Sequence, residues 1–223
     1  CIFKKKLTFK LKKMYHPTIE KPVKNSINMN KNIIITGPNA AGKTTTIKAT
    51  IINLLLTQQL GLGFFDECQT STFDYIHCYL NIPDSCSRDS LFQAEARRCK
   101  DILDCIDKYP TKKHFCIFDE LYSGTNPYEA ISSAFSYLNY ISKNKNVRFL
   151  LTTHFIKLCN LFENKSKIIN KSMKTLEDQN KDPIYTYKIT NGISTIKGGV
   201  SVLRKLQYPE NIINMSSDIL EKI

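Results

Sequence analysis

The chain has 223 residues, of which 42% are hydrophobic, and this composition favours one large globular domain with a sizeable core. Its formal net charge of +12 is compatible with a nucleic-acid or other anionic partner, although the lysines are scattered and a composition bias explains them equally well. No apolar run has the length of a membrane span and no signal-peptide pattern opens the chain, so we expect no membrane association.

The first predicted elements surround a glycine-rich loop. Residues 7–11 alternate apolar and polar side chains, which predicts an edge strand, and residues 22–30 are expected to form a loop. Residues 32–36 are apolar and β-branched, which predicts a buried parallel strand. Residues 44–60 contain neither Gly nor Pro and are rich in Ile and Leu, which predicts a buried helix.

The loop between this strand and this helix fits the phosphate-binding pattern G-x-x-x-x-G-K-[ST] without a mismatch. It consists of Gly37, Pro38, Asn39, Ala40, Ala41, Gly42, Lys43 and Thr44, and Thr45 follows it. Its backbone N–H groups and the positive end of the helix favour a polyphosphate. Lys43 is expected to reach the β- and γ-phosphates, and the Thr44 hydroxyl to ligate Mg²⁺. The alternative, a glycine turn with an exposed lysine, does not explain why strand and helix flank the motif.

The next predicted elements are short strands and a capped helix. Residues 69–73 and 75–81 are predicted as strands, and residues 83–89 form a polar, turn-rich segment that we expect to be mobile. Ser90 begins an S-x-x-Q capping box, which predicts a helix that ends near residue 107.

Four apolar residues, 115–118, then lead into Asp119 and Glu120, which is the form of a Walker B strand. Asp119 is placed to hold Mg²⁺ through its water shell, and Glu120 can orient and deprotonate the attacking water. Two acids after a strand are often only a solvated turn. Downstream of a phosphate-binding loop, however, they are the expected partner of that loop.

The last part of the chain alternates helices and strands. A predicted buried strand, residues 147–153, ends at His154, which is a candidate sensor of the γ-phosphate, although a lone His is more often structural. Four further helices and a hairpin are predicted. One helix spans 128–142, and another runs from after His154 to about residue 162. A hairpin pairs 167–176 with 184–190, a helix after the loop 192–199 ends near residue 207, and a final helix begins at Pro209.

The cysteines and histidines bear on compartment and metal binding. Eight cysteines without a C-x-x-C pair indicate reduced thiols, which places the protein in an intracellular compartment such as cytoplasm or nucleus. The four histidines show no metal-ligand spacing. Because the chain begins with Cys1 rather than Met, we expect it to be a piece of a longer protein.

A set of ordered motifs is similar to that of one protein family. The motifs are His16-Pro17-x-x-Glu20, Thr36-Gly37-Pro38-Asn39 with Gly42-Lys43, Ser90-x-Phe92-x-x-Glu95, Asp119-Glu120 with Gly124-Thr125, Thr153-His154-Phe155, and Gly192-Ile193-Ser194 with Gly199-Val200-x-Val202. Together they resemble the ATPase domain, domain V, of the MutS family of DNA mismatch-repair proteins. The resemblance extends from Tyr15 to the end of the chain.

This resemblance implies a fold and an activity. The fold would be an α/β P-loop NTPase of the ATP-binding-cassette type, a mostly parallel sheet flanked by helices with a short antiparallel part and C-terminal helices. Residues 1–196 would form the ATPase domain and residues 197–223 a helical dimerisation segment. ATP and Mg²⁺ would be bound, and hydrolysis across a homo- or heterodimer with another MutS-like subunit would control a DNA clamp. The clamp and mismatch-binding domains of the family lie upstream and are absent from this chain.

Some residue roles also follow from the resemblance. Ser90 would cross the dimer interface and meet the partner's γ-phosphate; the alternative is that it only caps its own helix. Val23 and Tyr187 are candidate adenine contacts. The family's Arg after Walker B is replaced in Leu121-Tyr122-Ser123. A nucleotide-binding dimerisation module with little hydrolysis therefore stays open as an alternative, whereas the missing L-S-G-G-Q motif argues against a transporter or cohesion ATPase.

Overall fold

The computed structural model describes residues 1–80, 90–163, 165–179, 182–196 and 198–222. The segment 83–89, which the sequence predicts to be mobile, lies outside the described residues. Within them, no helix combines the length and the apolar character that a membrane crossing requires.

Ten strands and six helices alternate along the described chain. In order they are β1 (Ile2–Phe3), β2 (Phe9–Met14), β3 (Asn25–Asn28), β4 (Asn32–Thr36), α1 (Lys43–Leu60), β5 (Glu67–Thr70), β6 (Tyr75–Tyr79), α2 (Leu91–Lys108), β7 (His114–Asp119), α3 (Pro127–Ile141), β8 (Val147–Thr153), α4 (Ile156–Phe162), β9 (Ile168–Glu177), β10 (Pro183–Asn191), α5 (Gly199–Lys205) and α6 (Glu210–Lys222).

The main sheet has six strands in the order β10-β9-β4-β8-β7-β6. Strand β4 pairs in parallel with β8 and β9, and β7 pairs in parallel with β8 and β6. The predicted hairpin is confirmed, because β10 pairs antiparallel with β9. The carboxyl ends of β4, β7 and β8 therefore meet at one edge of the sheet, where the predicted phosphate-binding and acidic residues lie.

Helices cover both faces of this sheet, as the α/β prediction requires. Ile33 and Ile35 of β4 pack on one side with Ile47 and Leu54 of α1. Ile34 packs on the other side in a cluster that contains residues of α2, α3 and α4. Successive side chains of β4 therefore point into two separate hydrophobic cores, which explains why the whole strand is apolar.

A second sheet corrects two predictions for the beginning of the chain. It contains four strands in the order β1-β5-β2-β3, so β2 is an internal strand and not the predicted edge strand. Residues 22–30 are not entirely loop, because β3 (Asn25–Asn28) lies within them and pairs antiparallel with β2. Alternation in β2 correctly indicates which side chains are buried, among them Phe9 and Leu11. It carries no information about which strands supply hydrogen bonds to its two edges.

The helix after the undescribed segment 81–89 begins as predicted. The hydroxyl oxygen of Ser90 accepts a hydrogen bond from the Gln93 backbone N–H at 3.3 Å, and the Gln93 side-chain oxygen accepts one from the Ser90 N–H at 2.9 Å. This is a complete capping box, and α2 continues from it to Lys108.

Candidate nucleotide-binding site

The glycine-rich loop joins the end of β4 to the first turn of α1. Gly42 is the N-cap of α1 with a φ of 93°, in the left-handed region that favours glycine. A Cβ at this position would also lie 3.2 Å from the Tyr187 ring, and a Cβ at Gly37 would lie 3.1 Å from Cβ of Met173. A side chain at Gly42 would therefore be strained by the backbone conformation, and one at Gly37 would be tightly packed against β9.

Lys43 is enclosed by the loop that precedes it. Its ammonium group donates hydrogen bonds to the carbonyl oxygens of Gly37 at 2.9 Å and Pro38 at 3.2 Å. The side chain is only 6% exposed, and its nitrogen lies 3.6 Å from Oε1 of Glu120. Burial lowers the pKa of Lys43, and the neighbouring carboxylates of Glu120 and Asp119 oppose that shift. The loop thus holds a desolvated cation beside its own backbone N–H groups, an arrangement suited to an anion.

Thr44 and Asp119 meet at the mouth of the loop. The Thr44 hydroxyl donates to one carboxylate oxygen of Asp119 at 2.8 Å. The Thr152 hydroxyl, one strand away on β8, donates to the other oxygen. A hydroxyl and a carboxylate at this separation are oxygen ligands of the type that Mg²⁺ prefers, so the residues fit this ion.

Glu120 lies between Lys43 and His154. Its Oε1 atom is 3.4 Å from Nδ1 of His154 and 3.6 Å from the Lys43 nitrogen. The hydrogen bond to His154 lowers the pKa of Glu120; burial opposes this, and the charges of His154 and Lys43 assist it. The carboxylate is therefore ionised at neutral pH and able to accept a proton. Its backbone φ of 55° lies in the left-handed region, which is uncommon for Glu and recurs at functional sites.

These residues surround a cavity of about 740 Å³. Lys43, Thr44, Asp119 and Glu120 line it, together with Asn39, Ala40, Gly42 and Thr45 of the loop region. Val23 and Tyr187 line it as well. The cavity thus combines a charged end with partly apolar walls.

Sequence comparison places this geometry in a family. The model of MutS domain V matches residues 33–223 of the chain. The chain belongs to the MutS family. Domain V is the P-loop ATPase domain of that family, in agreement with the glycine-rich loop and with the strand that ends at Asp119 and Glu120.

Two relatives illustrate the range of the family. The chain is 31% identical, over 93% of its length, to the DNA mismatch repair protein MutS of Clostridium tetani. It is 30% identical, over 98% of its length, to the Endonuclease MutS2 of Staphylococcus aureus strain JH9. The match covers 24% of the first relative and 28% of the second, so the chain spans about a quarter of the length of the curated relatives.

Of the two predicted γ-phosphate contacts of this MutS-family domain, His154 contacts another site residue, whereas Ser90 caps its own helix. His154 contacts Glu120, and nearly half of its side chain is exposed. Ser90 is exposed, and its hydroxyl oxygen is occupied by the cap hydrogen bond from Gln93. The structure thus brings Lys43, Asp119, Glu120 and His154 together within one chain, whereas the role of Ser90 across a dimer stays a prediction.

Sequence reasoning gave no role to two residues that organise the site. Thr152 orients Asp119, as described above. Glu95 of α2, 2% exposed, accepts hydrogen bonds from the Ser123 N–H and hydroxyl at 3.0 and 2.8 Å and from the Gly124 N–H at 3.0 Å. It therefore ties α2 to the loop that follows Glu120. An acid on the buried face of an amphipathic helix was the available signal.

Replacing Glu95 with Ala is expected to destabilise this domain by about 2–4 kcal/mol, because three donors of the 121–127 loop lose their buried acceptor. Urea denaturation followed by circular dichroism measures the change. Glu163→Ala, which removes an exposed carboxylate at the end of α4, serves as the control and should change the free energy of unfolding by less than about 0.5 kcal/mol. Equal midpoints for the two variants would contradict the structural role of Glu95.

Proposed function

We propose that this domain hydrolyses ATP in a Mg²⁺-dependent reaction. The observation that carries the proposal is that Lys43, Asp119 and Glu120 line one cavity at the carboxyl edge of the sheet and that His154 contacts Glu120. A neutral binding pocket would need neither the ionised Glu120 nor the buried ammonium group beside it.

Each residue has a task in this reaction. The backbone N–H groups of residues 37–44 bind the phosphates, and Lys43 neutralises charge on the β- and γ-phosphates. Glu120 orients the attacking water and accepts its proton, and His154 contacts the γ-phosphate. Thr44 and Asp119 would hold Mg²⁺, which neutralises negative charge on the phosphate oxygens when it is bound.

We further place the working unit in a dimer that controls a DNA clamp of the parent protein. Ile212, Met215 and Ile219 of α6 are 43%, 68% and 49% exposed and follow a helical spacing, so they form an apolar stripe that suits a protein partner. The stripe supports residues 197–223 as a dimerisation segment beside an ATPase domain of residues 1–196. The partner is a second copy or another MutS-like subunit.

The names of the relatives suggest the setting of this activity. One is a mismatch repair protein and the other an endonuclease, and both share this domain. We therefore assign to this chain the nucleotide-driven step of DNA mismatch repair or a related DNA transaction, with DNA contacted by other parts of the parent protein. All seven cysteines among the described residues are free thiols, in keeping with a reducing intracellular compartment.

Phosphate release by the purified, dimeric protein tests the proposal directly. Mg²⁺-dependent release of phosphate from ATP, with turnover that rises as the dimer forms, is the expected result. Tight ATP binding without turnover would instead support a nucleotide-binding dimerisation module. That second candidate is favoured by the 121–127 loop, which lacks the Arg of the family pattern and is held by Glu95.

Replacing Ser90 with Asp separates its two possible roles. Asp is as good an N-cap as Ser, so the free energy of unfolding should stay within about 0.5 kcal/mol of wild type. If Ser90 meets the partner's γ-phosphate, the added negative charge repels that group. Turnover should then be lost while each monomer retains near-normal ATP affinity. Phosphate release and nucleotide titration measure the two quantities.

Ser90→Ala completes the comparison. It removes the cap, at a cost of about 1 kcal/mol, and also the hydroxyl that would reach the partner. We expect lost turnover with near-normal ATP affinity per monomer. Wild-type turnover in Ser90→Asp would show that the serine only caps α2.

A further inference from the structure

Two histidines and a cysteine lie together far from the cavity. His77 of β6, Cys105 of α2 and His114 of β7 present their ligand atoms within 4.8 Å of one another. Nε2 of His77 is 3.1 Å from Nδ1 of His114. His114 begins β7 and Asp119 ends it, so the cluster lies about 16 Å from the acidic end of that strand.

The environment orients His114 toward the cluster. Its Nε2 atom is 2.9 Å from the Tyr109 carbonyl oxygen, which can only accept a hydrogen bond. Nε2 therefore carries the proton, and the lone pair of Nδ1 points to the cluster. A backbone carbonyl in this position is the usual outer partner of a metal-binding imidazole.

Burial and stacking hold both rings in place. His77 is 9% exposed and His114 is fully buried. The Tyr75 ring stacks on both imidazoles, with centroids 5.0 Å from His114 and 6.2 Å from His77. Cys105 is half-buried, in the last part of α2, so a small ion can approach the cluster from this side.

We propose that His77, Cys105 and His114 form a binding site for a borderline divalent cation, with Zn²⁺ as the expected occupant. Two imidazoles and one thiolate are ligands that zinc accepts and that Mg²⁺ and Ca²⁺ avoid. Water can take the fourth position of a tetrahedral ion.

The distances are close to those that the ion needs. With bonds of about 2.0–2.3 Å, a tetrahedral zinc ion keeps its ligand atoms about 3.3–3.6 Å apart. The two imidazole nitrogens lie 3.1 Å apart, close to that separation, and Sγ of Cys105, which lies within 4.8 Å of both nitrogens, would have to approach them by no more than about 1.5 Å. On binding, the thiol releases its proton to solvent, and the single ring proton of His77 moves from Nε2 to Nδ1, so that the Nε2 lone pair can bind the ion.

One charge opposes the ion. The Arg98 guanidinium donates to the Cys78 carbonyl oxygen at 3.1 Å, next to His77. Its positive charge weakens cation binding, so we expect an affinity below that of four-ligand structural zinc sites. A bound ion would connect the end of α2 to the edge strand β6 and thereby stabilise the whole chain.

Cobalt titration of the reduced, chelator-treated chain tests this site. Co²⁺ should bind at one equivalent and produce a thiolate-to-cobalt charge-transfer band, which Zn²⁺ then removes. In Cys105→Ser the band should be absent, and in His77→Ala the affinity should fall by about 100-fold or more. Zn²⁺ should also raise the melting temperature of the wild type but not that of Cys105→Ser.

Two cysteine variants serve as controls. Cys78→Ser changes a half-buried thiol that follows His77 in β6 but packs against the core on the α1 side of the sheet. Cys1→Ser removes an exposed thiol. Both should retain the band and the zinc-dependent melting shift. A wild-type chain without a band would overturn the proposal, as would a band that survives in Cys105→Ser or one that disappears in Cys1→Ser. These outcomes are independent of the proposed ATP hydrolysis, which depends on other residues.

Discussion

Replacing Glu120 with Gln is expected to slow ATP hydrolysis by about 10²–10⁴-fold while ATP binding is retained. Gln occupies the same volume and can still accept a hydrogen bond from His154, so the site should keep its shape. It cannot accept the proton of the attacking water. Phosphate release under saturating ATP measures the first quantity, and nucleotide titration measures the second.

The design of this experiment separates a catalytic loss from an unfolding loss. Glu163→Gln removes a charge at the exposed end of α4 and should leave both quantities unchanged. ATP affinity in Glu120→Gln should be equal to or slightly higher than in the wild type, because a carboxylate near the phosphates is removed. If turnover in Glu120→Gln is close to wild type, the assignment of Glu120 as the base is wrong.

Replacing Lys43 with Met is expected to weaken ATP binding by about 100-fold or more. The ammonium group would contact two phosphates, and hydrogen bonds to charged groups contribute about 1.5–3 kcal/mol each. Their loss, at least about 3 kcal/mol in total, corresponds to that change in Kd. Isothermal titration with ATP measures it.

The same variant should fold normally. Met matches the length of the Lys stem, and the substitution removes a cation whose desolvation lowers its pKa in the folded state. We expect the free energy of unfolding without nucleotide to stay within about 1 kcal/mol of wild type. Lys48→Met, on the same helix but outside the cavity lining, is the matched control and should retain ATP affinity. Wild-type affinity in Lys43→Met would contradict a phosphate-binding loop.

The sequence predicted which residues of the candidate site would lie together in the structure, because the parts of this site are local. The phosphate-binding loop is one contiguous segment, and the strand and helix that flank it can be recognised from their own composition. Asp119, Glu120 and His154 could be placed because each follows a buried strand, and the carboxyl ends of parallel strands meet at one edge. The capping box of Ser90 and Gln93 was predictable for the same reason, since its hydrogen bonds join residues three positions apart.

Contacts between distant segments were decided only by the tertiary structure. The internal position of β2 depends on its pairing with β3 and β5, and alternation within β2 does not specify partners. The Thr152 hydrogen bond to Asp119 exists because β8 lies next to β7. Glu95 meets Ser123, and Cys105 meets two histidines, only after α2 packs on the sheet.

The amino-acid sequence alone therefore determined the glycine-rich loop, the strand that ends at Asp119 and Glu120, and the family, because each is encoded by a short sequence pattern with a direct physical meaning. Packing decided the strand order, the hydrogen bonds between Glu95 and the 121–127 loop, and the cluster of His77, Cys105 and His114. No local sequence pattern specifies which distant side chains the fold will bring together.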